Sequence, residues 1–251
     1  PGTIGNCIWV MFDHNRGCEP RVSGCGAADL LRLPKYAYYF FQSQRNPATA
    51  AVAASLEAGP MVHVASTWTP RPSPAKVIVF SNCDEVELQI DGKTVARKKP
   101  DAGPDTLHVQ FAKEKLERWD GGNGRHLDHP AFTFHIPYAP GELKAIGFIG
   151  GRAVATHAVR TPGAPASLRL RADLEGVPLA AQGKDTVFVR ADILDQDGMV
   201  VPDTGLPVTF KVVDADLASP ETVPAEAGIA TALILSRGHG HGIKVEAGAP
   251  G

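Results

Sequence analysis

The sequence predicts a mainly β protein, two immunoglobulin-like β-sandwich domains behind a single strand–loop–helix unit. Three observations predict it. Gly and Pro are abundant, 26 and 21 of 251 residues, nearly one residue in five where roughly 12% is usual. Beyond residue 60, apolar and polar side chains alternate with period two between turn-forming dipeptides. Before residue 47 the texture differs: a continuous apolar run, then an aromatic helix pattern. A chain so punctuated cannot be a helical bundle or a coiled coil. Its 43% hydrophobic content removes it from the disordered class.

The elements follow in order. Cys7-Ile-Trp-Val-Met-Phe12 has no alternation, as in a strand buried on both faces of a parallel sheet or barrel. A polar loop, Asp13 to Pro20, follows it. The run from Asp29 to Arg45 carries Pro34, suited to a first helical turn, and Tyr36, Tyr39 and Phe40 at helical spacing with Phe41 alongside. That predicts a helix of about twelve residues, too short to be stable unless its aromatic face is covered. One βα unit is not a domain, so its partner strands are expected outside this chain. Ala-rich residues 48–59 read as a linker or short helix.

Strands are predicted at 61–66, 76–80 and 85–90, where Val86, Leu88 and Ile90 share one face. Asp91-Gly92 is a hairpin turn into 93–97. A long excursion over 98–130 carries Trp119. Strands resume at 132–136, 142–149 and 152–159, the last two joined across Gly150-Gly151. Residues 60–163 thus form the first sandwich. Thr161-Pro-Gly-Ala-Pro165 is a stiff boundary. Residues 166–251 restart the rhythm at 167–171, 186–194, 206–213, 227–235 and 242–246, with seven strands expected in all.

The balance of 25 basic and 27 acidic residues, net −2, argues against a nucleic-acid partner. No apolar run approaches the ~18 residues of a membrane span, so no membrane partner is expected. Cys7, Cys18, Cys25 and Cys83 fit no zinc spacing. A Cys18–Cys25 bridge would suit an oxidising compartment; small unbridged thiols are the plainer reading. His126, Asp128 and His129, next to Arg125, could hold a metal or be surface turn chemistry, and no metal is assigned. His239 and His241 read as a hairpin turn. Lys93, Arg97, Lys98 and Lys99 read as a charged, aggregation-resistant edge. Trp68 and Trp119 could make a sugar-stacking platform or be sandwich core. No phosphate loop or nucleophile elbow is present.

The most informative stretch is Ile8-Trp-Val-Met-Phe-Asp13-His14-Asn15-Arg16-Gly17. It ends a buried strand with an aromatic and several hydrogen-bonding groups, and in a parallel barrel ligand-handling residues sit at strand carboxyl ends. Trp9 could face a sugar ring while Asp13, Asn15 and Arg16 hold hydroxyls. Equally, Trp9 could be core and Asp13 a loop cap.

Ile8 to Pro20 resembles the eighth barrel strand of glycoside hydrolase family 2, the β-galactosidase and β-glucuronidase family. Asp29 to Gln44 looks like that TIM barrel's last helix. Ser81-Asn82-Cys83-Asp84-Glu85-Val86-Glu87-Leu88, with Asp91-Gly92-Lys93, is similar to the first sandwich after the barrel. Pro137–Gly147 and Val159–Gly163 continue the likeness. Residues 166–251 look like the immunoglobulin-like module that ends many of these bacterial enzymes.

The resemblance implies that 1–47 are the C-terminal remnant of a (β/α)8 catalytic barrel and that 48–59 link it to the sandwiches. It implies a retaining β-glycosidase acting on terminal β-linked sugars, with no cofactor. Trp9 matches the tryptophan lining the sugar subsite; Asp13 and His14 match the loop after it. The two catalytic glutamates, about 5 Å apart in retaining enzymes, belong to the fourth and seventh barrel strands, so neither is expected here. Glu19 follows the eighth strand and has the wrong context for either role. The chain alone is therefore expected to be inactive. Its expected partners are a carbohydrate substrate in the intact enzyme, the missing N-terminal part with the barrel, and a second copy in a homo-oligomer. A bacterial periplasmic or extracellular location is expected rather than a cytoplasmic one. The alternative is a non-catalytic carbohydrate-binding or structural spacer module. Away from its barrel, the first segment is expected to leave Tyr36, Tyr39, Phe40 and Phe41 uncovered.

Overall fold

The computed structural model describes residues 10–15, 22–49, 58–70, 76–101, 127–174, 185–237 and 242–250. Trp9, Trp119, Cys18, Glu19, His126, His239 and His241 lie outside them, as do most of the 48–59 segment and the 98–130 excursion. The chain divides into two compact units, Pro1–Thr161 and Pro162–Gly251.

The first unit holds the helix α1 (Tyr36–Ser43) and strands β1 (Val62–Val64), β2 (Val77–Ser81), β3 (Glu85–Ile90), β4 (Lys93–Lys98), β5 (Phe132–Phe134), β6 (Glu142–Ile149) and β7 (Arg152–Arg160). They form two antiparallel sheets, β1-β2-β5 and β4-β3-β6-β7. Strict alternation does what it predicts. Val86, Leu88, Leu143 and Ala145 from one sheet meet Val64, Val77, Val79 and Phe132 from the other, each 3% exposed or less. Fully burying a Val, Leu or Phe is worth ~1.5–3 kcal/mol apiece, enough to fix the register. Asp91 and Gly92 both take positive φ, 47° and 77°, as the tight β3–β4 hairpin requires. The Asp91 carboxylate then accepts the Glu142 N–H at 2.8 Å, tying the turn to β6.

The helix is shorter than its sequence suggests. Pro34 lies in an antiparallel bridge with Ala28, and extended Lys35 is the N-cap, so helix begins only at Tyr36. Its cover also differs from expectation. Tyr39 stacks on His63 and Phe40 packs edge-on against Phe80 at 5.4 Å, so the sandwich covers this face. Tyr36 and Phe41 remain 45% and 38% exposed. Beyond the helix, Gln44 brackets His129, donating to its carbonyl at 2.7 Å and accepting its N–H at 3.3 Å.

The second unit contains β8 (Ser167–Asp173), β9 (Thr186–Leu194), β10 (Pro207–Val213), β11 (Ala215–Leu217), β12 (Thr222–Pro224), β13 (Ile229–Ser236) and β14 (Lys244–Gly248). They form the sheets β12-β10-β14 and β11-β13-β9-β8. Val208, Phe210, Ala191, Ile193 and Ala232 fill the space between them. The sequence pattern misses β11 and β12 because three residues are too few to show alternation. Asp214, at φ 61°, breaks the chain between β10 and β11 and sends it to the other sheet. On β9, Asp192 is wholly buried yet charged, because Arg169 and Arg171 reach it from β8 at 2.8 and 2.7 Å.

Candidate functional site

The segment singled out in the sequence is a pinned loop. Asp13 N–H donates to the Ala28 carbonyl and Ala28 N–H to that of Met11, both at 2.9 Å, so Phe12 and Ala28 run parallel. His14 pairs with Ser23, accepting its N–H at 2.9 Å. The chain leaves after Asp13 and returns beside it. Gly26 permits that return, since a Cβ there would lie 2.2 Å from the Asp13 nitrogen.

The Asp13 carboxylate fastens the closure. Its Oδ1 accepts the Gly26 N–H at 2.7 Å and Lys35 Nζ at 2.8 Å, and its Oδ2 accepts Lys35 Nζ at 3.1 Å. Lys35 also donates to the Gly24 carbonyl at 3.0 Å. One lysine, at the helix N-cap, thereby ties the helix to both ends of the loop, at Asp13 and at Gly24. Just upstream, Asp29 Oδ1 accepts the N–H groups of Leu31 and Leu33, each at 2.8 Å, around a left-handed Arg32 at φ 64°. His14 is half-buried, its Nδ1 3.9 Å from the Cys25 sulfur. Chemically this is a loop closed by a carboxylate–ammonium pair and backbone hydrogen bonds, with a half-buried His14 beside it.

The other candidates separate. Trp68 is 2% exposed and tilted against Tyr138 at 5.1 Å, inside the first core. Its ring faces are covered, which corrects the stacking-platform expectation; Trp119 lies outside the described residues. Cys25 is an exposed free thiol, and Cys18, the other member of the bridge considered above, lies outside the described residues. Two cations of the basic hairpin are paired locally. Arg97 pairs with Glu85 at 2.7 Å and lies 3.9 Å over the Phe148 ring, while Lys98 bonds Asp101. Among the described residues no cluster of three or more His, Cys, Asp or Glu could hold a metal, and no helix is long and apolar enough to cross a membrane.

The structure adds a feature the sequence reading missed. His63 of β1 lies between Tyr39, stacked at 3.5 Å and 7°, and His157 of β7, 4.4 Å away between centroids. Burial, and secondarily His157, pushes the His63 imidazole down to about 3; burial also lowers His157. Each histidine sits alone in an alternating strand, 94 positions apart, so no local signal joins them.

Residues 73–155 match the family described as a domain of unknown function, DUF4982. The chain is similar to a β-galactosidase of Thermoanaerobacter pseudethanolicus, 30% identical over 94% of this chain and 30% of that protein. It is also similar to the β-galactosidase BoGH2A of Bacteroides ovatus, 29% identical over 83% of this chain and 21% of that protein. A β-glucuronidase structure from glycoside hydrolase family 2 superposes with a TM-score of 0.69 at 22% identity, over 92% of this chain and 22% of that one. These likenesses support a region of a glycoside hydrolase family 2 β-glycosidase. The chain spans less than a third of the length of these relatives. The nearly all-β sandwich architecture matches that of the β-sandwich domains in glycoside hydrolase family 2 structures.

Proposed function

We propose that the chain is the C-terminal portion of a retaining β-glycosidase that releases terminal β-linked sugars, and that it supplies the end of the catalytic barrel with two accessory sandwiches. The observation that carries this is the Ile8–Pro20 motif entering the parallel Phe12–Ala28 bridge and then α1. A strand followed by a helix is a barrel's repeating unit, and the motif followed by α1 has that order. The relatives' names supply the substrate class: β-galactosidase for the Thermoanaerobacter pseudethanolicus and Bacteroides ovatus proteins.

In this reading Trp9 offers its ring to the apolar face of a sugar and His14 offers a polar edge from the loop. Asp13, bound to Lys35 and Gly26, holds the loop that carries them. The two glutamates of the double displacement, one as acid and base and one as nucleophile, reside in barrel strands outside these 251 residues. The first sandwich braces the last βα unit through Tyr39 on His63 and Phe40 on Phe80. The test compares aryl β-galactoside and aryl β-glucuronide hydrolysis by the whole gene product and by this chain. Turnover by the whole product alone supports the proposal. Turnover by the chain, lost in Glu19→Gln, overturns it.

A further inference from the structure

The Tyr39–His63–His157 stack joins three elements: α1, the open edge of β1, and β7 of the opposing sheet. Among the described residues β1 pairs only with β2, and the Ala65 N–H bonds across to Ile78. By alternation the Val64 N–H points away from β2. His157 Nδ1 accepts that N–H at 3.2 Å. A nitrogen that accepts carries no proton, so the geometry requires His157 to be neutral with its proton on Nε2. Protonating Nδ1 would set donor against donor at a buried sheet edge. It would also place a cation beside His63, whose other face is covered by Tyr39.

We propose that this stack is an acid-operated latch: neutral, it holds the first half of α1 on the sandwich, and on taking up a proton it lets that half go.

The surroundings contain little to oppose this. α1 has no charged residue, β2 has none, and β1 has only His63. From α1 the groups nearest His63 are the Tyr39 ring and, at 6.3 Å, the Tyr36 ring. On β7 and β6 the charged residues are Arg152, Arg160, Glu142 and Lys144. Glu142 and Arg160 pair at one end of the ladder, Arg152 sits at the other, and His157 faces Ala145. No carboxylate contributes to the shift of either histidine. Tyr39 would give an imidazolium some cation–π attraction, but it cannot replace the Val64 bond. The second half of the helix keeps its own anchors, Phe40 on Phe80 and Gln44 on His129. Release is therefore confined to Tyr36, Tyr39 and the N-cap Lys35, the residue that grips Asp13.

The sign follows from linkage. Both bases are depressed while latched and ordinary when released, so release takes up protons and is favoured as pH falls below about 6.5. The bias toward opening grows about tenfold per pH unit for each histidine engaged, until pH nears the latched value.

The experiment is hydrogen exchange of this chain from pH 7 to 4.5, read as protection of 38 and 39, the first helical amides with partners, with NMR titration of the two imidazoles. The expected result is protection at 38 and 39 falling about tenfold or more per pH unit below about 6.5 while Leu88 is unchanged, with both imidazoles titrating below the ordinary range. His63→Phe/His157→Asn, which keeps a stacked ring and an acceptor, should hold α1 at all these pH values. Ordinary imidazole titration, or equal pH dependence in wild type and variant, would overturn the latch. Neither readout depends on glycosidase activity, so the latch and the proposed function stand or fall separately.

Discussion

Lys35→Met removes one ammonium and should loosen one loop. Lys35 Nζ bonds both Asp13 oxygens, at 2.8 and 3.1 Å, and the Gly24 carbonyl at 3.0 Å. The side chains of Lys35 and Asp13 are 34% and 12% exposed. A fully exposed pair is worth roughly 0–1 kcal/mol, and breaking a buried one costs about 3–5 kcal/mol. This pair lies between, and Asp13 keeps the Gly26 N–H, so about 1–2 kcal/mol is expected. That corresponds to about a five- to thirtyfold rise in loop opening. Hydrogen exchange reads it directly, because the amides of Asp13, Ala28 and Lys35 all bond across the closure. Their protection should fall by that factor while Leu88 and Ala191, in the two cores, keep theirs. No change at the loop would refute the reasoning. So would equal loss in the cores, which would mean that Lys35 supports the whole unit.

Three further outcomes follow from the same contacts. Gly26→Ala forces a Cβ into the backbone of Phe12 and Asp13, so the Phe12–Ala28 pairing should be lost by exchange while the β3–β6 ladder survives. Leu88→Ala, at a fully buried position, should cost about 2–5 kcal/mol in denaturant unfolding of the first unit. Asp192→Asn should cost the second unit about 2–3 kcal/mol, less than a fully buried pair because Arg169 and Arg171 are half-exposed. For that carboxylate burial pushes the pKa up, but the Arg171 and Arg169 bonds outweigh it and hold it below the ordinary range. Its contribution is complete above the ordinary carboxylate pKa and is lost as pH falls through the lowered value. Acid unfolding of Asp192→Asn should lack that component.

Strand positions were legible because they depend on local alternation. Glu85–Ile90 and Thr186–Leu194 stand in the structure as the pattern marks them. The short β11 and β12 were not, since their strand character comes from neighbours rather than from their own residues. The Asp13 loop was recognisable by motif, but not its fastening: Lys35 lies 22 positions away, and only the folded chain shows that it closes the loop. Tyr39 was legible as an aromatic in need of cover, whereas its cover, His63, was hidden in an alternating strand. Trp68 marks the limit of composition: an indole on a sheet reads alike as platform or core, and burial decides for core.

The central claim, that the chemistry lies in residues outside this chain, is open to one direct measurement. A retaining glycosidase forms a covalent glycosyl-enzyme, which a fluorinated, slowly hydrolysed β-galactoside traps for mass spectrometry of the digested whole gene product. The expected result is an adduct on a glutamate outside these 251 residues, with every peptide of this chain unlabelled. An adduct on Glu19, or on any other residue between Pro1 and Gly251, would contradict it.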